Sequence, residues 1–278
     1  MLIEDIVGYC HESYVSGCSG CNNNLKCPSC VANEFECEND VGCQECFDNI
    51  FSLNPLSYKR KYDCIHMANY YVCKYSFKYA NEMVFALRNI NLDQIKAVSI
   101  GCGPCTDLFA IDYMAHEDHR FENFDFVGID SCDIWDDVQG EIREHYPQVA
   151  FSPNINNLAR DWNPNLVIFN YVFSHIVAFE DDIEAFIRDM DEFINNLPMN
   201  SYVIINDINY ASVRMCFERL INGNFSVSKY HFEGYGRYYP YGDENPNEFP
   251  IQIPLNLKRI YDPHAKCTSA QMILRKVR

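Results

Sequence analysis

The sequence predicts an α/β fold: a doubly wound, mostly parallel sheet of seven strands, preceded by a small N-terminal zinc-binding module. Three observations carry this expectation. Ala97–Ile100 is a short apolar run, cut off by Gly101 and Gly103 and followed by Pro104, a residue at home in the first turn of a helix. Downstream, short apolar runs alternate with segments of helical periodicity, as when strands are joined by crossover helices. Upstream, the first 58 residues hold eight cysteines, six of them in three Cys-x-x-Cys pairs. The expected boundary follows: residues 1–58 as the metal module and 59–278 as the larger domain.

The eight cysteines are Cys10, Cys18, Cys21, Cys27, Cys30, Cys37, Cys43 and Cys46. Each Cys-x-x-Cys pair can make a tight turn that aims two thiolates at one metal ion. Eight thiolates fill two tetrahedral sites, so about two structural zinc ions are expected. Cys27/Cys30 and Cys43/Cys46 are separated much as in a zinc ribbon, leaving Cys10, Cys18, Cys21 and Cys37 for a second site. A sequential partition is also open, and His11, Cys64 or His66 can substitute. A redox dithiol, an iron–sulfur cluster and unligated core thiols are the competing readings. Lys26 stands alone against many carboxylates in this segment, unlike the basic fingers that grip nucleic acid. Protein docking, or zinc that merely folds a segment too small for its own core, fits better.

Along the larger domain, Ile65, Ala68, Val72, Tyr75, Tyr79, Met83, Ala86 and Ile90 recur at three- and four-residue steps, predicting a helix from Tyr62 to Ile90. Cys105–His116 is the helix after the glycine turn. Asp125–Asp130 reads as the second strand. Ser131 or Asp133 is placed to cap a helix carrying Val138 and Ile142. Strands are expected at Gln148–Ser152, Leu166–Asn170, Ser201–Asp207, Phe225–Phe232 and Ala270–Val277, the final one antiparallel. Helices are expected at Phe179–Leu197 and Tyr210–Ile221. Gly234–Lys266, rich in proline and tyrosine, is a long connection of the kind that is usually functional, and is expected to cover a substrate cleft.

The glycine turn suits a nucleotide-like ligand. Glycine lets backbone approach a ligand where a Cβ would clash, and a helix N-terminus offers free N–H groups. An acidic residue ending the second strand, here Asp130, can accept from both hydroxyls of a ribose. Gly101-Cys102-Gly103-Pro104-Cys105-Thr106-Asp107-Leu108 resembles the first motif of class I S-adenosylmethionine (SAM)-dependent methyltransferases, and Gly128-Ile129-Asp130 resembles the second. The resemblance covers roughly Tyr62 to the C-terminus. A dinucleotide-binding domain would need a third glycine near Thr106, and there is none.

That resemblance implies SAM as cofactor, held by Gly101, Cys102, Gly103, Thr106, Asp107, Asp130, Ser131, Asn154 and Asn170, with Ile155 beside Asn154 near the adenine. It implies that Asn170-Tyr171-Val172-Phe173-Ser174-His175 faces the reactive methyl. His175 is then the candidate base, with Tyr171 or Asn170 orienting the acceptor; a helix-start or core role is the plainer alternative for His175. The prolines that base-amino methyltransferases carry after such an asparagine are missing here. Asp207 could also reach the cleft or serve as a cap.

Composition bounds the function. Hydrophobic residues make up 48% and charged residues 22%, ordinary for a chain with a proper core. A formal charge of -17 repels phosphate backbones, so nucleic acid is a disfavoured partner. No apolar run is long enough for a membrane span, the first residues lack a basic secretory start, and fifteen cysteines then suggest a reducing cytoplasm. The expected activity is methyl transfer to a small molecule or protein. The alternatives are a non-catalytic SAM-binding or zinc scaffold protein, and an enzyme using SAM for a non-methyl transfer.

Overall fold

The computed structural model describes residues 1–21, 65–158, 162–179, 183–232, 241–244, 249–261 and 268–278. Its centre is a sheet of β1 (Ile95–Ile100), β2 (Phe124–Ile129), β3 (Ala150–Ser152), β4 (Leu166–Asn170), β5 (Tyr202–Ile208), β6 (Phe225–Phe232), β7 (Asp243–Glu244) and β8 (Ser269–Lys276). The spatial order is β3-β2-β1-β4-β5-β8-β6-β7. The seven expected strands are present, and the two-residue β7 is an addition at the edge. β8 pairs antiparallel with both β5 and β6, while the pairs among β1 to β5 are parallel.

The strand sequences explain their place. Leu166–Phe169 and Tyr202–Ile205 are uninterrupted buried runs, as a parallel strand covered on both faces requires. One face packs on α1 (Leu2–Cys21), α2 (Ile65–Arg88), α3 (Thr106–His116) and α4 (Asp136–His145), through Ala97, Ile168, Ile204 and Ile273. The other face packs through Val98, Val167, Phe169 and Val203 on α5 (Phe173–Phe179), α6 (Ile183–Asn195) and α7 (Ala211–Phe217). The last described helix, α8 (Leu255–Tyr261), buries Leu257 in the first of these cores. No helix among the described residues is long and apolar enough to cross a membrane.

The N-terminus begins with a helix that joins the main core. Leu2, Ile3, Ile6, Val7 and Cys10 recur at helical spacing and bury one stripe of α1 in the main core. The amide of Leu2 donates to Asp112 Oδ2 at 3.0 Å, fixing the helix start to α3. Residues 2–16 thus pack in the same core as α2 and α3, while the expected boundary at residue 58 lies outside the described residues. Cys10 is fully buried in the core between α1 and α2, where burial and the nearby Cys73 push its thiol pKa well up. Cys18 and Cys21 lie in the last turn of α1. Cys27, Cys30, Cys37, Cys43 and Cys46 lie outside the described residues. Among the described residues, no group of three or more potential ligands could hold a metal ion.

Two further differences are local. Neither Ser131 nor Asp133 caps α4, because a 3-10 turn, Asp133–Trp135, intervenes and places Trp135 at the cap position. A seven-residue helix, α5, precedes the helix expected at Phe179; its entry is held by Asp207, whose Oδ2 accepts from the amide of Ser174 at 3.0 Å. Of the long connection, Ile251 is buried and exchanges two backbone hydrogen bonds with the Asn81 side chain of α2, at 2.9 Å each.

Candidate functional site

The carboxyl ends of β1, β2 and β4 meet around the Gly101–Cys105 turn. Gly101 has φ 61 and Gly103 has φ 49, both left-handed. At Gly101 a side chain is also excluded by space, since a Cβ would lie 2.8 Å from Val172 Cγ2. Cys105 shares the left-handed conformation at φ 57 and is the cap residue of α3. The turn is tied to its neighbours by the amide of Cys102, which donates to Ile129 O at 3.1 Å, and by Gln139 of α4, which donates to Gly103 O at 3.1 Å.

Asp130 joins the turn to the end of β2. Its Oδ2 accepts from the amide of Gly103 at 2.7 Å and its Oδ1 from the amide of Cys132 at 2.9 Å. A carboxylate has lone pairs beyond these two, so a ribose can still be accommodated. Burial raises the pKa of Asp130, opposed by the two amides and by the charge of His175. His175 is half-buried on α5, near enough for its charge to act on Asp130. Burial also raises both thiols of the turn, Cys102 and Cys105.

The remaining candidates fall into three settings. Ser131 is exposed beside Asp130, and Asn154 caps the turn after β3 by accepting from the amide of Asn156 at 2.8 Å. Thr106 and Asp107 are buried beneath the turn; burial raises the Asp107 carboxyl to about 6. Asn170 and Tyr171 direct their polar atoms inward. Asn170 Nδ2 donates to Thr106 Oγ1 at 3.0 Å, and the Tyr171 hydroxyl donates to Glu82 Oε2 at 2.9 Å. Tyr171 OH also meets Lys78 Nζ and Ser269 Oγ.

The sequence reading missed Glu82, Lys78 and Gln139. The signal for the first two was a lysine and a glutamate four apart on one face of α2, inside an apolar stripe. Aromatic rings form a row over the cleft: Trp135, Tyr71, Tyr75, Tyr79 and Tyr171 follow one another with centroids 5.7, 5.3, 5.2 and 3.6 Å apart. A hollow of about 500 Å³ lies at the opposite end of the sheet, among Lys96, Glu122, Asp125 and Asn165. The glycine turn, the acidic strand end and the convergent side chains are at the carboxyl end, where ligands of open α/β sheets bind, and the candidate site is placed there.

Fold and turn together define an open, doubly wound α/β domain with a left-handed glycine turn bridged to an acidic strand end. No protein-family model matches the sequence, and no curated protein matches it. Among solved structures, similar chains include the plantazolicin methyltransferase BpumL bound to S-adenosylhomocysteine (SAH), at 13% identity, TM-score 0.45 and coverage of 76% of this chain and 88% of that one. The SAH-bound N-methyltransferase NodS from Bradyrhizobium japonicum is 10% identical, with TM-score 0.46 and coverage of 72% and 88%. A putative class I SAM-dependent methyltransferase from Listeria monocytogenes is 12% identical, with TM-score 0.45 and coverage of 72% and 59%. Identities of this size and TM-scores below 0.5 leave function to be argued from this chain's own residues.

Proposed function

We propose that this chain binds SAM at the carboxyl ends of β1, β2 and β4 and transfers its methyl group to a small-molecule or protein acceptor. The observation that carries the reading is the Asp130 bridge: an acidic strand end held against a left-handed glycine turn, with acceptor capacity left for two hydroxyls. The reversed β8, inserted between β5 and β6, separates this sheet from the all-parallel order of dinucleotide-binding domains. Gly101, Cys102 and Gly103 would line the cofactor's amino-acid end, Asp130 and Ser131 its ribose, and Asn154 its adenine. Thr106, Asp107 and Asn170 would support the turn from beneath. SAM supplies a methyl group on a positively charged sulfur; the chain supplies alignment and, where the acceptor must lose a proton, a base. His175 is the candidate for that base, supported by its charge acting on Asp130. Calorimetry with SAH tests the reading: the parent binds, and Asp130→Ala binds about 10- to 100-fold more weakly, as the loss of a charged hydrogen-bonding partner implies. Equal affinity in a folded variant refutes the cofactor assignment.

Binding without turnover of any acceptor would favour the non-catalytic reading, and a product other than SAH would favour another use of SAM. For zinc, Cys18, Cys21, Cys27, Cys30, Cys37, Cys43 and Cys46 remain, with His66 replacing Cys10. The support is that His66 Nδ1 is buried and meets no hydrogen-bond partner among the described residues. Elemental analysis of fresh protein is expected to give about two zinc ions per chain; no metal at all refutes the site. A cytoplasmic location is part of this proposal.

A further inference from the structure

We infer that Glu82 is a positioning residue for the cofactor turn, acting through a line of hydrogen bonds whose direction its carboxylate dictates. The inference rests on the SAM-binding reading above.

Glu82 is 1% exposed, yet four donors converge on it. Oε1 accepts from Lys78 Nζ at 2.8 Å and Ser269 Oγ at 2.7 Å. Oε2 accepts from Tyr171 OH and from Asn206 Nδ2, both at 2.9 Å. An ionised carboxylate only accepts. Asn206 must therefore turn its amide nitrogen towards Glu82. Its second hydrogen goes to Asn170 Oδ1 at 3.0 Å. Asn170 is then obliged to offer its own nitrogen to Thr106 Oγ1, also at 3.0 Å. Thr106, the first residue of α3 where the turn closes, ends the line as an acceptor.

The sheet makes this line possible. Asn170 pairs with Asn206 in the β4–β5 register, and Asn206 pairs with Gln271 in the β5–β8 register, so the three amides cross the strand ends side by side. Gln271 Nε2 donates back to Glu82 O at 2.9 Å. Each amide could chemically face either way; the one acceptor-only group in the line removes that freedom. Glutamine at 82 has nearly the same shape but can donate, so it admits both directions. A buried ion pair such as Lys78–Glu82 is weak support for stability, while fixing the polarity of a network is a task it can perform.

The test uses the full chain, with Glu82→Gln, Thr106→Val and the double variant, read by SAH calorimetry and by amide hydrogen exchange. Each single variant is expected to weaken SAH about tenfold, and the double variant no further than Thr106→Val alone. Exchange at residues 101–109 is expected to accelerate in Glu82→Gln while β1 and β5 stay protected. A lower melting temperature with unchanged SAH affinity, or additive effects in the double variant, overturns the inference. Should Glu82→Gln not fold, Asn206→Leu cuts the same line and carries the same expectations. Should the parent bind no SAH, the cofactor reading falls, and exchange alone decides: acceleration confined to 101–109 supports the positioning role, and unchanged exchange there overturns it.

Discussion

Tyr79 of α2 and Tyr171 at the exit of β4 stack with 3.6 Å between ring centroids and 21° between planes. Tyr171 pays for that position with φ 60, a left-handed conformation that costs a bulky residue about 1–2 kcal/mol. The stack and the buried hydroxyl hold it there. Tyr171→Phe keeps the stack but withdraws a donor from Glu82. It is expected to lose about 1–3 kcal/mol, measured by urea unfolding with an unchanged denaturant slope.

Gly101 has no room for a side chain, since the added Cβ would lie 2.8 Å from Val172 Cγ2. Gly101→Ala is expected to destabilise by about 1–3 kcal/mol, from conformation and overpacking together. Adding Val172→Ala clears the contact but not the conformation. Thermal melts should therefore show partial recovery; a full recovery would mean that the left-handed φ 61 is without cost.

Asp107 has its folded pKa raised to about 6 from an ordinary 3.8, because burial disfavours the charge more than Ser99 and the backbone amides favour it. Between these two values the folded state holds a proton that the unfolded state has released. Stability from this group is intact below about pH 4, falls as pH rises to about 6 and is level above that. Asp107→Asn removes the titration. It is expected to be more stable than the parent at pH 7, by about 3 kcal/mol at most, with the difference vanishing at pH 4. Unfolding free energies across that range check the sign.

Cys10 separates packing from ligation. Cys10→Ala creates a small void in the α1–α2 core and should cost about 1 kcal/mol. Metal content by elemental analysis should equal the parent's. A drop in bound zinc with this variant would restore Cys10 as a ligand.

Much of the sheet was legible because its strands are continuous apolar runs with glycine, asparagine or aspartate at their ends. Leu166–Asn170 and Phe225–Phe232 appear with the expected bounds. The glycine turn and Asp130 were legible for a similar reason: the φ values and the bridge they need leave few residue choices. α1 was missed because its cysteines drew attention to metal, although Leu2, Ile3, Ile6, Val7 and Cys10 carry a helical stripe. Glu82 was missed for a different reason. Its four donors come from α2, the exit of β4, β5 and β8, and no local pattern announces a meeting of side chains up to 187 positions apart. Whether Tyr171 belongs to chemistry or to support is likewise written in where its hydroxyl turns, which a one-dimensional pattern does not contain.

The reversed strand β8 makes the sheet a clasp. It pairs with β5 through seven positions, Tyr202↔Arg275 to Ile208↔Ser269. It pairs with β6 through eight, Phe225↔Lys276 to Phe232↔Ser269. β6 and β7 reach the rest of the sheet through β8. A single cut in the chain between β6 and β8 would thus leave two fragments, the smaller one wedged between strands of the larger. Such a nicked protein should travel as one particle on a sizing column and come apart only in denaturant. The same geometry makes β8 a natural split point: a peptide spanning residues 268–278, supplied separately, has both of its edges already waiting for it.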